Sequence, residues 1–172
     1  MEINKVIVGL LQTNCYILNK DNKCLIIDPG DEANKIISNI KNKVVGIIIT
    51  HYHFDHIGAL EKLVNKYNVK IYDINNLKEG NNIIDIFNFI MIKTPGHKED
   101  LISLLFDNNL FCGDFIFKNA IGRTDLKGGN FLDMHKSIQK IIKLDKNTII
   151  YPGHGESTIL LEELPNLLSY LS

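Results

Sequence analysis

Apolar positions come first in short β-type runs, Lys5 to Leu10, Cys15 to Leu18 and Cys24 to Ile27, the last closed by Asp28-Pro29-Gly30. Short runs of this kind ended by turn residues predict a meander of strands. From Glu32 to Lys43 the spacing changes, with Ile36, Ile37 and Ile40 recurring at helical intervals. Val44 to Thr50 is then a nearly unbroken β-branched run, which predicts a strand buried on both faces. Ile57, Leu60, Leu63 and Val64 form a second helical stripe, and Val69 to Tyr72 another strand.

Ile83 to Lys93 alternates and predicts one long strand that stops at Thr94-Pro95-Gly96. Ile102 to Phe106 and Leu110 to Cys112 flank Asp107-Asn108-Asn109, the signature of a hairpin. Phe131 to Leu144 reads as a helix with Phe131, Met134, Ile138 and Ile141 or Ile142 inward, and Thr148 to Tyr151 as a strand. Thr158 to Leu171 reads as a closing helix that Pro165 should kink or split. The pattern is that of an α/β fold with mixed, partly antiparallel sheets and helices outside. With 172 residues, no internal repeat and no long linker, a single domain over 1–172 is expected.

Composition narrows the partners. With 19 basic against 20 acidic side chains the net charge is −1, which offers no basic field for a phosphate backbone, so no nucleic acid is expected. Asp85 and Asn88 interrupt even the Ile83 to Ile92 segment, so no run reaches the ~20 apolar residues of a spanning helix and no membrane role is expected. Val6 to Leu11 is too short for the core of a signal peptide, which points to the cytoplasm. Cys15, Cys24 and Cys112 are odd in number and widely spaced, as buried thiols in a reducing compartment would be. Any metal must therefore find other ligands. The expected partner is a small-molecule substrate, and the expected state a monomer or small homo-oligomer.

Directly after the strand ending at Thr50 stands His51-Tyr52-His53-Phe54-Asp55-His56, four metal-capable side chains in six positions. Residues two apart on extended backbone point the same way, so His51 and His53 can grip one ion. Asp55 and His56, at the turn into a helix, point to a neighbouring one. His97 and His154 each follow a Pro-Gly pair at the end of a predicted strand, where glycine lets the backbone come close to an ion. Phe111-Cys112-Gly113-Asp114 ends another strand with a carboxylate, which can offer one oxygen to each of two ions. Asp28 fits either a plain turn or a partner that orients a ligand histidine. His135, inside an amphipathic helix, is structural or on the surface rather than a ligand.

These motifs resemble those of the metallo-β-lactamase-fold hydrolases, and within them the glyoxalase II-like thioester hydrolases. The likeness extends through Asn14-Cys15-Tyr16, Asp28-Pro29-Gly30, Thr94-Pro95-Gly96-His97, Gly113-Asp114, Gly122-Arg123-Thr124-Asp125-Leu126 and Pro152-Gly153-His154-Gly155. It implies a four-layer αββα sandwich, two mixed sheets face to face, with metals at one edge. It also implies that His51, His53 and His97 bind a first metal, that Asp55, His56 and His154 bind a second, and that Asp114 binds both. After His97 the family usually has small residues, whereas this chain has Lys98-Glu99-Asp100-Leu101. Two-domain glutathione-thioester hydrolases carry a tyrosine shortly after the last ligand histidine. Gly155-Glu156-Ser157-Thr158 has none, which likens the chain to the one-domain members.

The chemistry expected is hydrolysis by a metal-bound hydroxide, with Asp55 orienting it and collecting its proton, and with no serine or cysteine nucleophile. A thiolate leaves unassisted whereas an amide nitrogen needs an acid, so a small thioester of the hydroxyacylglutathione type is the expected substrate. Arg123 and Lys127 are candidates to hold a substrate carboxylate. Ligand type does not separate zinc, iron and manganese, and zinc is the default expectation for two divalent ions. The competing readings are a single-iron sulfur (persulfide) dioxygenase of the same superfamily, against which His56 and His154 speak, and a catalytically silent metal-binding module.

Overall fold

The computed structural model describes residues 1–171. Its first half builds a sheet from β1 (Glu2–Val8), β2 (Thr13–Lys20), β3 (Lys23–Ile27), β4 (Lys43–Ile48) and β5 (Ile71–Tyr72), hydrogen-bonded in that order. β1 to β3 are antiparallel and joined by tight turns, whereas β3, β4 and β5 run parallel. Parallel neighbours need crossovers, which α1 (Ala33–Asn39) supplies between β3 and β4, and α2 (Phe54–Ile57) with α3 (Leu60–Tyr67) between β4 and β5.

The second half builds a sheet in the order β13-β12-β9-β8-β7-β6. Its strands are β6 (Gly80–Ile84), β7 (Phe87–Lys93), β8 (Ile102–Phe106), β9 (Asn109–Gly113), β12 (Ile149–Pro152) and β13 (Thr158–Ile159). Only β9 and β12 are parallel, and α4 (Phe131–Ile141) is their crossover. A small hairpin, β10 (Ile116–Phe117) with β11 (Ala120–Ile121), follows β9, and α5 (Leu160–Ser169) closes the chain. Among the described residues no helix is long and apolar enough to cross a membrane.

Strand alternation sorts the side chains into layers. Tyr16 and Leu18 of β2, Leu25 and Ile27 of β3 and Ile48 of β4 pack with Phe87, Phe89 and Met91 of β7, with Ile102, Leu104 and Phe106 of β8, and with Phe111 of β9, filling the space between the sheets. The alternate residues Cys15, Ile17, Cys24 and Ile26 face the other way, onto Ile36 of α1 and Leu60 and Leu63 of α3. On the far side, Leu110 and Cys112 of β9 meet Met134, Ile138 and Ile141 of α4 and Leu160 and Leu167 of α5. Helices, two sheets and helices therefore stack as the resemblance implies.

Several local expectations need correction. The alternating run Ile83 to Lys93 is two strands, because Asp85 adopts φ 55° and turns the chain so that Ile84 pairs with Phe87. The first strand spans Glu2–Val8, and Leu10 beyond it is fully exposed. α1 ends at Asn39 rather than Lys43. Phe131, expected inward, is 50% exposed, since it opens α4 beside the Asn130 cap while Met134, Ile138 and Ile141 form the buried stripe. Thr158 and Ile159 are an edge strand on β12, and α5 then runs unbroken through Pro165. The β10–β11 hairpin is too short to leave a periodic signal.

Candidate metal centre

Strand ends meet at one edge of the paired sheets. β3 ends at Asp28, β4 leads through Thr50 into His51 and His53, and α2 carries Asp55 and His56. From the second sheet, β7 leads to His97, β9 to Asp114 and β12 to His154. Rigid strands thus deliver every expected ligand to a common place. The side chains fall into three overlapping groups, whose donor atoms lie within 4.8 Å of one another: His51, His53, His97 and Asp114; Asp55, His56 and His154; and Asp28, His51 and His56.

In the first group His53 Nδ1 lies 3.1 Å from His51 Nε2 and 2.9 Å from His97 Nε2. In the second, His154 Nε2 and His56 Nε2 lie 3.2 and 3.5 Å from Asp55 Oδ2. Asp114 stands between the groups, with Oδ1 3.3 Å from His56 Nε2 and Oδ2 3.6 Å from His97 Nε2 and 3.5 Å from His154 Nε2. A Cβ at Gly153 would run into Asp114 Oδ1 and His56 Cε1, so the residue before His154 must be glycine. At Gly96, φ +149°, the obstacle is instead the Met134 backbone, so that glycine seats the His97 loop on α4.

The outer partners assign the tautomers. Thr50 Oγ1 donates to Asp28 Oδ2 at 2.6 Å and so accepts from His51 Nδ1 at 3.1 Å. His56 Nδ1 donates to Asp28 Oδ2 at 2.9 Å, His97 Nδ1 to the Arg123 carbonyl at 2.8 Å and His154 Nδ1 to the Leu11 carbonyl at 2.9 Å. Each of these four rings consequently turns an Nε2 lone pair inward. His53 Nδ1 can donate a proton to only one of its two neighbours, so acceptors confront acceptors across the centre. His56 Nε2 and Asp114 Oδ1 are buried without a hydrogen-bond partner. A set of inward lone pairs and carboxylate oxygens, with His51, His56, His97, His154 and Asp55 each held by a partner outside the cluster, fits a divalent cation.

Without a cation, protons compensate. Burial lowers the pKa of His56, but Asp28 and Asp114 overcome this and hold it at about 10. His154 is likewise depressed by burial, yet Asp114 and Asp55 raise it to about 9. Burial works against ionisation of Asp55, and hydrogen bonding to His154 prevails, lowering it to about 2. Asp114 is held far below the usual carboxylate range for the same reason. His51 is pushed well down by burial and then by His56, and His53 by burial and then by His97 and Lys98.

Asp28 supports rather than grips, since its oxygens are taken by Thr50 and His56. Arg123 reaches the centre through its carbonyl. Its guanidinium forms a bidentate pair with Asp125, 2.7 Å on each arm and largely exposed, while Lys127 is also exposed. His135 lies on α4, outside the three groups. Sequence reading missed Thr13, whose Oγ1 donates to Asp55 Oδ2 at 3.0 Å, as well as Thr50 and the Leu11 and Arg123 carbonyls. Thr50, adjacent to His51, had a positional signal. Main-chain carbonyls carry none.

A cluster of this composition on the joined edge of two helix-covered mixed sheets defines a metallo-hydrolase class. The chain belongs to the metallo-beta-lactamase superfamily, whose family model matches residues 8–78 and 70–154. It is 34% identical to the probable metallo-hydrolase YqgX of Bacillus subtilis, over 95% of this chain and 94% of that protein. It is 37% identical to the hydroxyacylglutathione hydrolase of Buchnera aphidicola over 85% of this chain, which spans only 63% of that enzyme. Among solved structures, the BLEG-1 B3 metallo-beta-lactamase superposes with a TM-score of 0.90 at 30% identity, covering 95% of this chain and 97% of that one. Membership and these relatives together support a metal-dependent hydrolase.

Proposed function

We propose that the protein is a dinuclear metal-dependent hydrolase that cleaves a small thioester of the hydroxyacylglutathione type. The observation carrying this reading is the pair of ligand groups, His51, His53 and His97 against Asp55, His56 and His154, with Asp114 reaching both. Two divalent ions, zinc by default, would supply a polarised substrate carbonyl and a water acidic enough to ionise near neutral pH.

The chain's own residues do the remainder. Asp55, fixed by Thr13 and ionised at any physiological pH, accepts a hydrogen bond from the attacking water and so aims it. Its low pKa suits orientation more than proton storage. A thiolate of pKa near 8.5 leaves without a proton donor, whereas an amide nitrogen requires one. The described cluster offers acceptors and no dedicated acid, which supports thioesters over lactams and peptides. The name of the Buchnera relative supports the same class. Arg123 can serve a substrate carboxylate only by leaving Asp125, and Lys127 is the freer cation of the two.

A single-iron oxidation leaves the Asp55, His56 and His154 group without a role, which makes it the weaker reading. The deciding experiment loads the protein with zinc, iron or manganese and assays acyl-glutathione and acyl-CoA thioesters by thiol release. Thiol release that disappears in His97→Ala and His154→Ala is expected. Turnover of phosphodiesters or lactones with no thioester cleavage would overturn the substrate class, and oxygen consumption with glutathione persulfide would favour the alternative.

A further inference from the structure

The segment after His97 grips the peptide that lies between His51 and His53. The Tyr52 N–H donates to Asp100 Oδ2 at 3.1 Å, and the Tyr52 carbonyl accepts from Lys98 Nζ at 3.2 Å. Lys98 and Asp100 are themselves an ion pair at 3.2 Å, with side chains only 20% and 18% exposed. The tyrosine side chain is tied as well, its hydroxyl donating to Asp73 Oδ2 at 2.5 Å. Both main-chain groups of the residue between two of the imidazoles are therefore held by the loop that carries the third.

This arrangement answers a geometric need. His51 and His53 follow a strand of the first sheet and His97 a strand of the second, so no strand pairing sets their separation. One main-chain bond, from the Ile102 N–H to the Thr50 carbonyl at 3.0 Å, joins the bases of the two loops. The Lys98 and Asp100 contacts add fixings beside the imidazoles themselves. From these bonds we infer that Lys98 and Asp100 are positioning residues, which set His97 in register with His51 and His53 and so govern how tightly the three-imidazole side holds an ion. The inference rests on the metal centre of the proposed function but not on its substrate. Asp100 Oδ1 is buried without a partner, an unfavourable state that a turn kept only for its shape has no need to carry.

The test measures zinc affinity by chelator competition in two variants of the full chain. His154→Ala keeps the His51, His53, His97 and Asp114 group whole and breaks the other, while His97→Ala keeps the Asp55, His56 and His154 group whole, with Asp114 beside it, and breaks the first. Adding Asp100→Ala or Lys98→Ala is expected to weaken zinc binding about ten- to a hundredfold in the first variant and less than about threefold in the second. Asp100→Asn, whose side-chain oxygen still accepts from the Tyr52 N–H, is expected to recover part of the loss. The visible spectrum of bound cobalt should change in the first variant alone. Lys98→Met, which keeps the aliphatic stem, replaces Lys98→Ala where that variant fails to fold.

Lys23→Ala, which breaks an ion pair of 2.6 Å with Asp85 elsewhere, should leave zinc affinity untouched in both. Equal weakening in the two variants, or a lowered melting temperature with zinc affinity unchanged, would overturn the inference. If neither variant nor the parent protein binds zinc, the metal centre falls and the inference with it. If zinc binds and thioesters are not cleaved, only the proposed substrate fails, and the zinc affinities still decide the role of Lys98 and Asp100.

Discussion

Asp28 uses two oxygens to order both halves of the centre. Oδ1 accepts the Thr50 N–H at 2.8 Å, while Oδ2 accepts both the Thr50 hydroxyl and His56 Nδ1. Because Thr50 in turn orients His51, one carboxylate sets the tautomers of an imidazole in each ligand group. In Asp28→Asn the amide nitrogen would face either the Thr50 backbone N–H or the Thr50 hydroxyl together with His56 Nδ1–H, so in each orientation a buried donor loses its acceptor. Zinc affinity is expected to fall about ten- to a hundredfold, measured by chelator competition, with the melting temperature of the zinc-free protein lowered far less. Residue by residue, the sequence was most informative where side chains do the holding. His51, His53, Asp55, His56, His97, Asp114 and His154 converge as their motifs implied. Asp28 was ambiguous because Asp-Pro-Gly is also an ordinary turn. The Leu11 and Arg123 contributions were invisible because any residue type presents the same carbonyl.

Helix α4 shows how an element far from the chemistry still fixes it. Its stripe of Met134, Ile138 and Ile141 is fully buried against the second sheet. Its Ser137 hydroxyl donates to the Pro95 carbonyl at 2.6 Å, and Asn130 at its start donates its N–H to the Gly96 carbonyl at 2.8 Å. The His97 loop thus leans on the helix. Ile138→Ala should cost about 2–5 kcal/mol of stability, read as a lower midpoint in urea unfolding, because a cavity opens in a packed layer. Long periodic elements such as α4 and the β4 run were legible in the chain, since burial on a known face imposes their spacing. The break between Ile84 and Phe87 was not. Asp85 falls where an alternating strand would place an outward polar residue, so it does not break the period, and only its left-handed backbone reveals the turn. Pro165 was legible but misread. It removes one helical bond from α5, and the apolar stripe of Leu160 and Leu167 holds the helix together regardless.

Across the whole molecule, the His51, His53, His97 and Asp114 group and the Asp55, His56 and His154 group each draw on both sheets, so bound ions would tie the layers together. Chelation should therefore lower stability, by about 4 kcal/mol for each ion whose free concentration stood a thousandfold above its dissociation constant. The remaining stability should depend on pH with a definite sign. His56 and His154 in the cation-free protein have pKa values of about 10 and about 9, above the ordinary histidine value of 6.5. Their contribution is complete below pH 6.5 and is lost as pH rises through 9 to 10. Thermal melts of chelated protein are expected to decline over that window, while metal-loaded protein holds steady; a flat chelated profile would contradict the proton compensation described above.

All strands of the first sheet lie between Glu2 and Tyr72, and all strands of the second between Gly80 and Ile159, so the polypeptide passes from one to the other only once. Severed near Lys78 and Glu79, it would yield two fragments, each holding an incomplete share of the His51, His53, His97 and Asp114 group and of the Asp55, His56 and His154 group. Their reunion would then answer to the supply of divalent cation, making this scaffold a natural starting point for a split reporter of metal availability.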